Sequence, residues 1–420
     1  MRGLLCRLLR AEPHELPALA WAFAYFFLLL AGYYVLRPVR DELAVQAGAG
    51  RLQWLFTATF VTMLALVPVF GWLCARLPRA RLLPAVYAFF ILNLLAFWGA
   101  ARSGVATRDL APVFFVWVSV FNLFVVSVFW SFMADLFDEA QAARLFGAIA
   151  AGGSCGAIAG PALSASLATQ IGPTHLLLVS ALLLAGATGC IFALLAWARR
   201  HPRRGERKAE APLGGSILAG ARAALSSPFL LGICAYLLCY TALSTALYFQ
   251  QVEIVRSAIA DSAERTRLFA TVDLAVNSLT LIVQLTLTAR LGAALGVGWM
   301  LALMPLFSLF GFAWLGALPT LAVLLAFGIT RRVGEFAISK PVREALYTVV
   351  PREERYKAKN FIDTVVYRGG DAFAGWLVAG LRSLGAGVSG IAFAALPVAA
   401  GWLAVSFWLG RAQARRRATA

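Results

Sequence analysis

Apolar residues in this chain come in blocks the length of a membrane-crossing helix. Twelve such runs are separated by short polar joints. They cover roughly 16–36, 53–75, 82–101, 111–134, 145–168, 175–197, 228–250, 268–289, 292–316, 318–339, 360–381 and 385–410. A helix needs about 20 apolar residues to cross a hydrocarbon core roughly 30 Å thick. In that core every backbone N–H and C=O must be paired within the protein, so the runs are predicted to be helices. The pattern predicts an all-α polytopic membrane protein. The run at 16–36 is longer than the apolar part of a signal peptide and reads as the first span.

The longest internal polar joint, Arg199 to Lys208, follows the sixth run. It divides the chain into an N-terminal six-helix half over 1–198, a cytoplasmic basic linker over 199–227 and a C-terminal six-helix half over 228–420. The halves echo each other. Asp138-Glu139, Arg144, Phe146 and Gly152-Gly153 follow the fourth run. Glu353-Glu354, Lys359, Phe361 and Gly369-Gly370 follow the tenth. Two parallel, pseudo-symmetric halves with a site where they meet are the architecture of major facilitator transporters.

Charge then gives an orientation. Of the 420 residues, 61% are hydrophobic and only 14% charged, against about 25% charged in soluble domains. With both termini inside, roughly 25 of the 37 Lys and Arg fall on inner segments and about nine on outer loops, which predicts cytoplasmic termini. The bases are nearly all arginine, which fits a GC-rich bacterial genome, so the expected location is the bacterial inner (cytoplasmic) membrane. The net charge of +17 is read as topology plus attraction to anionic lipid of the bilayer, not as nucleic-acid binding, because the bases are spread over short loops. Cys6, Cys74, Cys155, Cys190, Cys234 and Cys239 have no ligand spacing, and His14, His175 and His201 do not cluster. No metal, no cofactor and no enzymatic activity are expected.

The informative residues are ionisable groups at membrane depth. Counting about 1.5 Å per residue from Pro319, Arg331 lies about 18 Å into the tenth span, near the midplane. Arg332 and Glu335 follow within a turn, and the spacing lets Glu335 pair with either arginine. An excess positive charge at that depth must face protein or water. The eleventh span carries Asp363, Arg368 and Asp371, with Arg368 three residues before its expected partner Asp371. Asp273, Asn277 and Gln284 share a face of the eighth span. Tyr236, Tyr240, Ser244 and Tyr248 form a stripe on the seventh, read either as a stacking surface for a base or sugar or as helix packing. Arg37 and Arg40 close the first span, as topology exceptions or as the rim of an anion entry.

Several short blocks resemble known families. Gly71 to Arg81, with Arg76 and Arg79, resembles the major facilitator loop motif whose basic residues latch a gate, although Ala75 stands where that motif has an aspartate. Gly156-x-x-x-Gly160-Pro161 resembles another signature of that superfamily and would equally serve close helix packing. Tyr34 to Asp41, Phe129 to Phe132, Pro341 to Tyr347 and Lys357 to Asp363, followed by Arg368-Gly369-Gly370, resemble the ATP/ADP exchanger-type nucleotide transporters of plastids and intracellular bacteria. That resemblance implies phosphate contact or gating by Arg40, Arg343 and Arg368. The chain departs from the family in lacking an acid near Val118 to Asn122, and in having Arg40 and Arg343 where lysines are expected.

The resulting expectation is a secondary active transporter working by alternating access. Its small-molecule substrate would be an organic anion such as a nucleotide or phosphorylated metabolite, exchanged for a counter-substrate or coupled to a proton. Substrate contact is assigned to Arg331, Arg332, Glu335, Arg368, Asp371, Tyr236, Tyr240, Arg37 and Arg40, and gating to Arg76, Arg79, Arg343, Glu344 and Asp363. The alternative keeps the fold but carries a lipid, drug or neutral solute past arginines that are structural.

Overall fold

A computed structural model describes residues 12–76, 79–201, 217–351, 358–359 and 361–418. The described residues are helical almost throughout. The first six runs form α1 (Leu16–Ala47), α2 (Leu52–Arg76), α3 (Arg79–Arg102), α4 (Thr107–Leu136), α5 (Glu139–Ile171) and α6 (Leu176–Arg200). A short α7 (Ile217–Ser226) precedes α8 (Pro228–Ala258), the seventh span. The eighth and ninth runs form one continuous path, α9 (Ser262–Val283), a π-turn at Gln284–Thr288 and α10 (Ala289–Ala317). The tenth comprises α11 (Leu321–Gly334), a π-turn at Glu335–Ser339 and α12 (Lys340–Leu346). A third π-turn at Ile362–Val366 leads into α13 (Tyr367–Ser383), and α14 (Val388–Ala418) is the twelfth span.

Among the described residues, nine helices are long and apolar enough to cross a membrane by length and composition. Two physical effects separate that number from the twelve spans. Ser262–Ala317 contains two runs, and the chain turns at Gly296, near the start of the second, where φ is 69° and ψ 172°. Glycine tolerates that left-handed backbone because it has no Cβ. The helices at 321–346 and 361–383 are too rich in charge to register as apolar, and these are the spans expected to carry the chemistry. Leu182, Leu285 and Phe310 are among the large apolar side chains left exposed, as a lipid-facing surface requires.

The helices gather into two compact units. The first comprises Met1–Gln46, Ala65–Glu206 and Ile259–Asn277, and the second Ala47–Leu64, Arg207–Ala258 and Ser278–Ala420. In the first unit, glycines of α5 meet the backbone of α1. A Cβ added to Gly152, Gly156 or Gly160 would lie 2.5, 2.3 and 2.5 Å from the carbonyl oxygens of Phe23, Phe27 and Ala31. The Gly156-x-x-x-Gly160 motif is therefore a close-packing seam. Around it Phe129 stacks on Phe26 at 4.1 Å between centroids, and Tyr25 donates to the Tyr87 hydroxyl at 2.6 Å. In the second unit, a Cβ on Gly370 of α13 would lie 2.5 Å from Thr241 Oγ1 of α8. Gly152 thus seats the fifth span on the first, and Gly370 seats the eleventh on the seventh.

Candidate substrate site

The polar interior of the second unit is assembled by α8, α11, α12 and α13. Arg331, on the last turn of α11, is only 4% exposed. Its Nη2 donates to Ser244 Oγ at 2.9 Å and to the Tyr240 carbonyl at 3.2 Å. The guanidinium lies 5.1 Å from the Tyr240 ring centroid, a cation–π distance. The four-residue spacing of the seventh-span stripe is what places Tyr240 and Ser244 on one side for this contact. Tyr236, one turn earlier, is fully buried. Its hydroxyl shares a 2.9 Å hydrogen bond with Ser339 Oγ, and its ring meets Trp402 edge to face. Tyr236 is thus a packed anchor, while Tyr240 holds the arginine.

Glu335 has a partner that its spacing does not predict. It bridges to Arg343 at 3.6 Å, eight residues on. The cause is local. Residues seven apart return to one face of an α-helix, and the extra residue accommodated by the π-turn at Glu335–Ser339 shifts that register to eight. Arg343 therefore comes beneath Glu335, and both are at most 5% exposed. Among the described residues, Arg331 Nε, Arg343 Nε and Nη1, and Glu335 Oε2 have no hydrogen-bond partner. The two buried guanidinium groups thus retain donors without hydrogen-bond acceptors beside Glu335. Arg332 is half-buried.

The π-turn beside Glu335 is supported from the neighbouring span. A π-turn leaves carbonyls without their usual helical donors, and in a bilayer no water replaces them. Gln284 Nε2 donates to the Phe336 carbonyl at 3.0 Å, and Thr288 Oγ1 to the Ala337 carbonyl at 2.9 Å. One π-turn therefore caps the other, and the deformation beside Glu335 is held from the neighbouring span. No periodicity in the sequence announces this.

A second cluster adjoins the first through aromatic rings. Arg368 pairs with Asp371 at 3.6 Å, as its i+3 spacing predicts, and Thr245 Oγ1 donates to Asp371 Oδ1 at 3.5 Å. Arg368 also lies over the Tyr367 ring, whose centroid is 6.1 Å from that of Tyr240. Nearby, Glu344 forms a close ion pair with Lys359. Asp363 is exposed and feels the charges of Arg343 and Lys359.

The remaining expected residues belong to the first unit or lie at helix ends. Arg37 pairs with Asp273 at 3.6 Å, and Arg40 donates to Asp41 at 2.7 Å while lying over the Phe115 ring. Sequence reasoning missed the neighbouring Glu42–Arg265 bridge, in which Arg265 Nε and Nη2 donate at 2.6 and 2.8 Å. Asn277 Nδ2 donates to the Ala157 carbonyl at 2.6 Å. The polar face of the eighth span is therefore spent on the first and fifth spans through Asp273 and Asn277, and on the π-turn of the tenth through Gln284. Arg76 is exposed at the end of α2. Arg79 begins α3, and its side chain lies outside the described residues, as do Glu353 and Glu354 of the repeat and residues 202–216 of the linker.

The sequence matches the Major Facilitator Superfamily over residues 21–370. No curated protein matches it. Among solved structures, the fold is similar to a bacterial homologue of the iron transporter ferroportin in an inward-facing state, at 14% identity and a TM-score of 0.66, covering 94% of this chain and 98% of that one. It is similar to a point mutant of the nucleoside transporter NupG at 13% identity and a TM-score of 0.63, covering 95% and 99%. It is also similar to a bacterial homologue of the human lysosomal transporter Spinster at 12% identity and a TM-score of 0.61, covering 97% and 99%. At these identities the likeness carries the fold alone.

Proposed function

Because this chain belongs to the major facilitator superfamily, we propose that it is a secondary transporter for an organic anion, of the nucleotide or phosphorylated-metabolite class. It would work by alternating access in the bacterial inner membrane with both termini cytoplasmic, exchanging its substrate for a counter-substrate or coupling it to a proton. One observation carries the choice of charge. Arg331 and Arg343 are both buried near Glu335, the one buried carboxylate paired with Arg343, and three of their N–H-bearing nitrogens have no hydrogen-bond partner among the described residues. Buried charged donors without acceptors cost about 1–3 kcal/mol each or more. An anionic substrate offers the acceptors, and phosphate oxygens match the planar fork of arginine. The Tyr240 ring beside Arg331 supports an aromatic or sugar moiety on the same ligand.

A second reading rests on the same residue. Arg331 already donates to Ser244 and Tyr240, as a structural arginine would. In that case the substrate is a lipid, drug or neutral solute. Thermal unfolding of the purified protein across nucleotides, sugar phosphates, dicarboxylates and neutral solutes separates the two, because a ligand of the native state raises its stability, by about 2.7 kcal/mol at a hundredfold excess over Kd. The anion reading expects a rise of the midpoint with phosphorylated compounds. Stabilisation by neutral compounds alone sinks it.

A further inference from the structure

We propose that the cavity between α10 and α14 binds the headgroup of an anionic phospholipid. The cavity holds about 360 Å³. It opens beside the point where the two helices touch, since a Cβ on Gly410 would lie 2.4 Å from the Gly298 Cα. From that contact the chain swings away at Gly296, whose φ of 69° breaks the line of the helix. The walls are mostly apolar. Trp299 and Phe407 meet edge to face at 4.9 Å, and Trp299 is 54% exposed. Two charges complete the lining, Arg411 and Arg417. Both are exposed, and neither forms an ion pair with a described residue.

Charge complementarity defines the occupant. No Asp or Glu lies between residues 289 and 334 or after Asp371, so the helices forming the cavity carry positive charge only. Two guanidinium groups without a carboxylate call for an anion. The apolar wall calls for hydrocarbon. A tryptophan at a span end marks the membrane–water boundary, where Arg-lined pockets between spans take anionic headgroups. A zwitterionic lipid carries a compensating cation into the arginines, and a soluble anion leaves the apolar wall bare. Gln413, also in the lining, is held by its hydrogen bond to the Ala345 carbonyl at 3.1 Å and fixes α14 against α12. This site is independent of the transported substrate.

Native mass spectrometry of the detergent-purified full chain tests the proposal, with palmitoyl-oleoyl phosphatidylglycerol and phosphatidylcholine titrated separately. The wild type is expected to hold phosphatidylglycerol at least about fivefold more tightly than phosphatidylcholine. Arg411→Gln with Arg417→Gln should remove that preference, Arg411→Lys with Arg417→Lys should keep most of it, and Arg415→Gln, outside the cavity, should leave it unchanged. The thermal midpoint of each variant checks its folding. Equal affinity of the wild type for the two lipids overturns the proposal. So does a well-folded double glutamine variant that binds like wild type. Displacement of phosphatidylglycerol by an equal concentration of inorganic phosphate also overturns it, because the site would then serve a soluble anion.

Discussion

Glu335 reaches Arg343 at 3.6 Å across a π-turn, and the pair is enclosed by the second unit. The carboxylate partly neutralises the cations that would receive an anion. It also fixes Arg343 in place. Glu335→Gln should therefore act in two directions. Removing the negative charge should raise affinity for an anionic ligand several-fold, while breaking a buried pair should lower stability by about 3 kcal/mol. Ligand titration and thermal unfolding of the same preparation read both effects. Weaker anion binding in a folded Glu335→Gln protein would place the carboxylate on the substrate instead.

Side chains of the π-turn at Gln284–Thr288 hold carbonyls of the π-turn at Glu335–Ser339, so the deformation at Glu335 depends on Gln284. Gln284→Leu leaves the Phe336 carbonyl without its donor, at a cost of about 1–3 kcal/mol. Thermal unfolding should show the loss, and Thr288→Val should show a similar one by freeing the Ala337 carbonyl. Wild-type midpoints in both variants would mean that the π-turns hold without this contact.

The seam between α5 and α1 has no room for a side chain. Gly156→Ala puts a methyl carbon 2.3 Å from the Phe27 carbonyl oxygen. Either the helices part or the protein fails to fold, with an overpacking cost of at least about 1–3 kcal/mol. Gly189, whose added Cβ meets nothing within 4 Å, is the control. Yield and thermal midpoint of Gly156→Ala against Gly189→Ala measure the difference, and equal values would contradict the seam.

Before the first span, Glu15 is buried and ties its own turn to α5. Burial alone would raise its pKa. The Glu12 backbone N–H, the Gln141 amide and the Arg144 guanidinium outweigh burial and hold it below the usual carboxylate value of 4.5. A depressed folded pKa adds stability above the unfolded value, and that stability fades as pH falls through the folded one. Glu15→Gln should lower the thermal midpoint at neutral pH by the equivalent of about 2 kcal/mol. The gap to wild type should narrow as pH drops below 4.5. A gap that does not change with pH would assign the effect to packing.

The features legible in the sequence are those set by regular helix geometry. Twelve apolar runs follow from the helical rise against the thickness of a bilayer, and the Arg368–Asp371 pair at i+3 follows from the helical period. Two kinds of feature were hidden. The π-turn changes the register locally, so the partner of Glu335 sits eight residues on, where no α-helical rule looks. Arg37 meets Asp273, and Glu42 meets Arg265, across more than two hundred residues of chain, which only the packed fold brings together. The aromatic stripe on the seventh span was visible as a pattern. That Tyr236 would anchor Ser339 while Tyr240 cradles Arg331 depends on α11 and its π-turn.

Uptake into proteoliposomes tests the central claim most directly. Labelled nucleotides and sugar phosphates would be offered to wild type, Arg331→Ala and Arg343→Ala reconstituted at equal density. The account predicts saturable uptake of at least one phosphorylated compound by wild type. It predicts a loss of about tenfold or more in each variant, the effect of removing one charged hydrogen-bonding partner worth roughly 1.5–3 kcal/mol. Wild-type rates in both arginine variants, or transport confined to uncharged solutes, would contradict it.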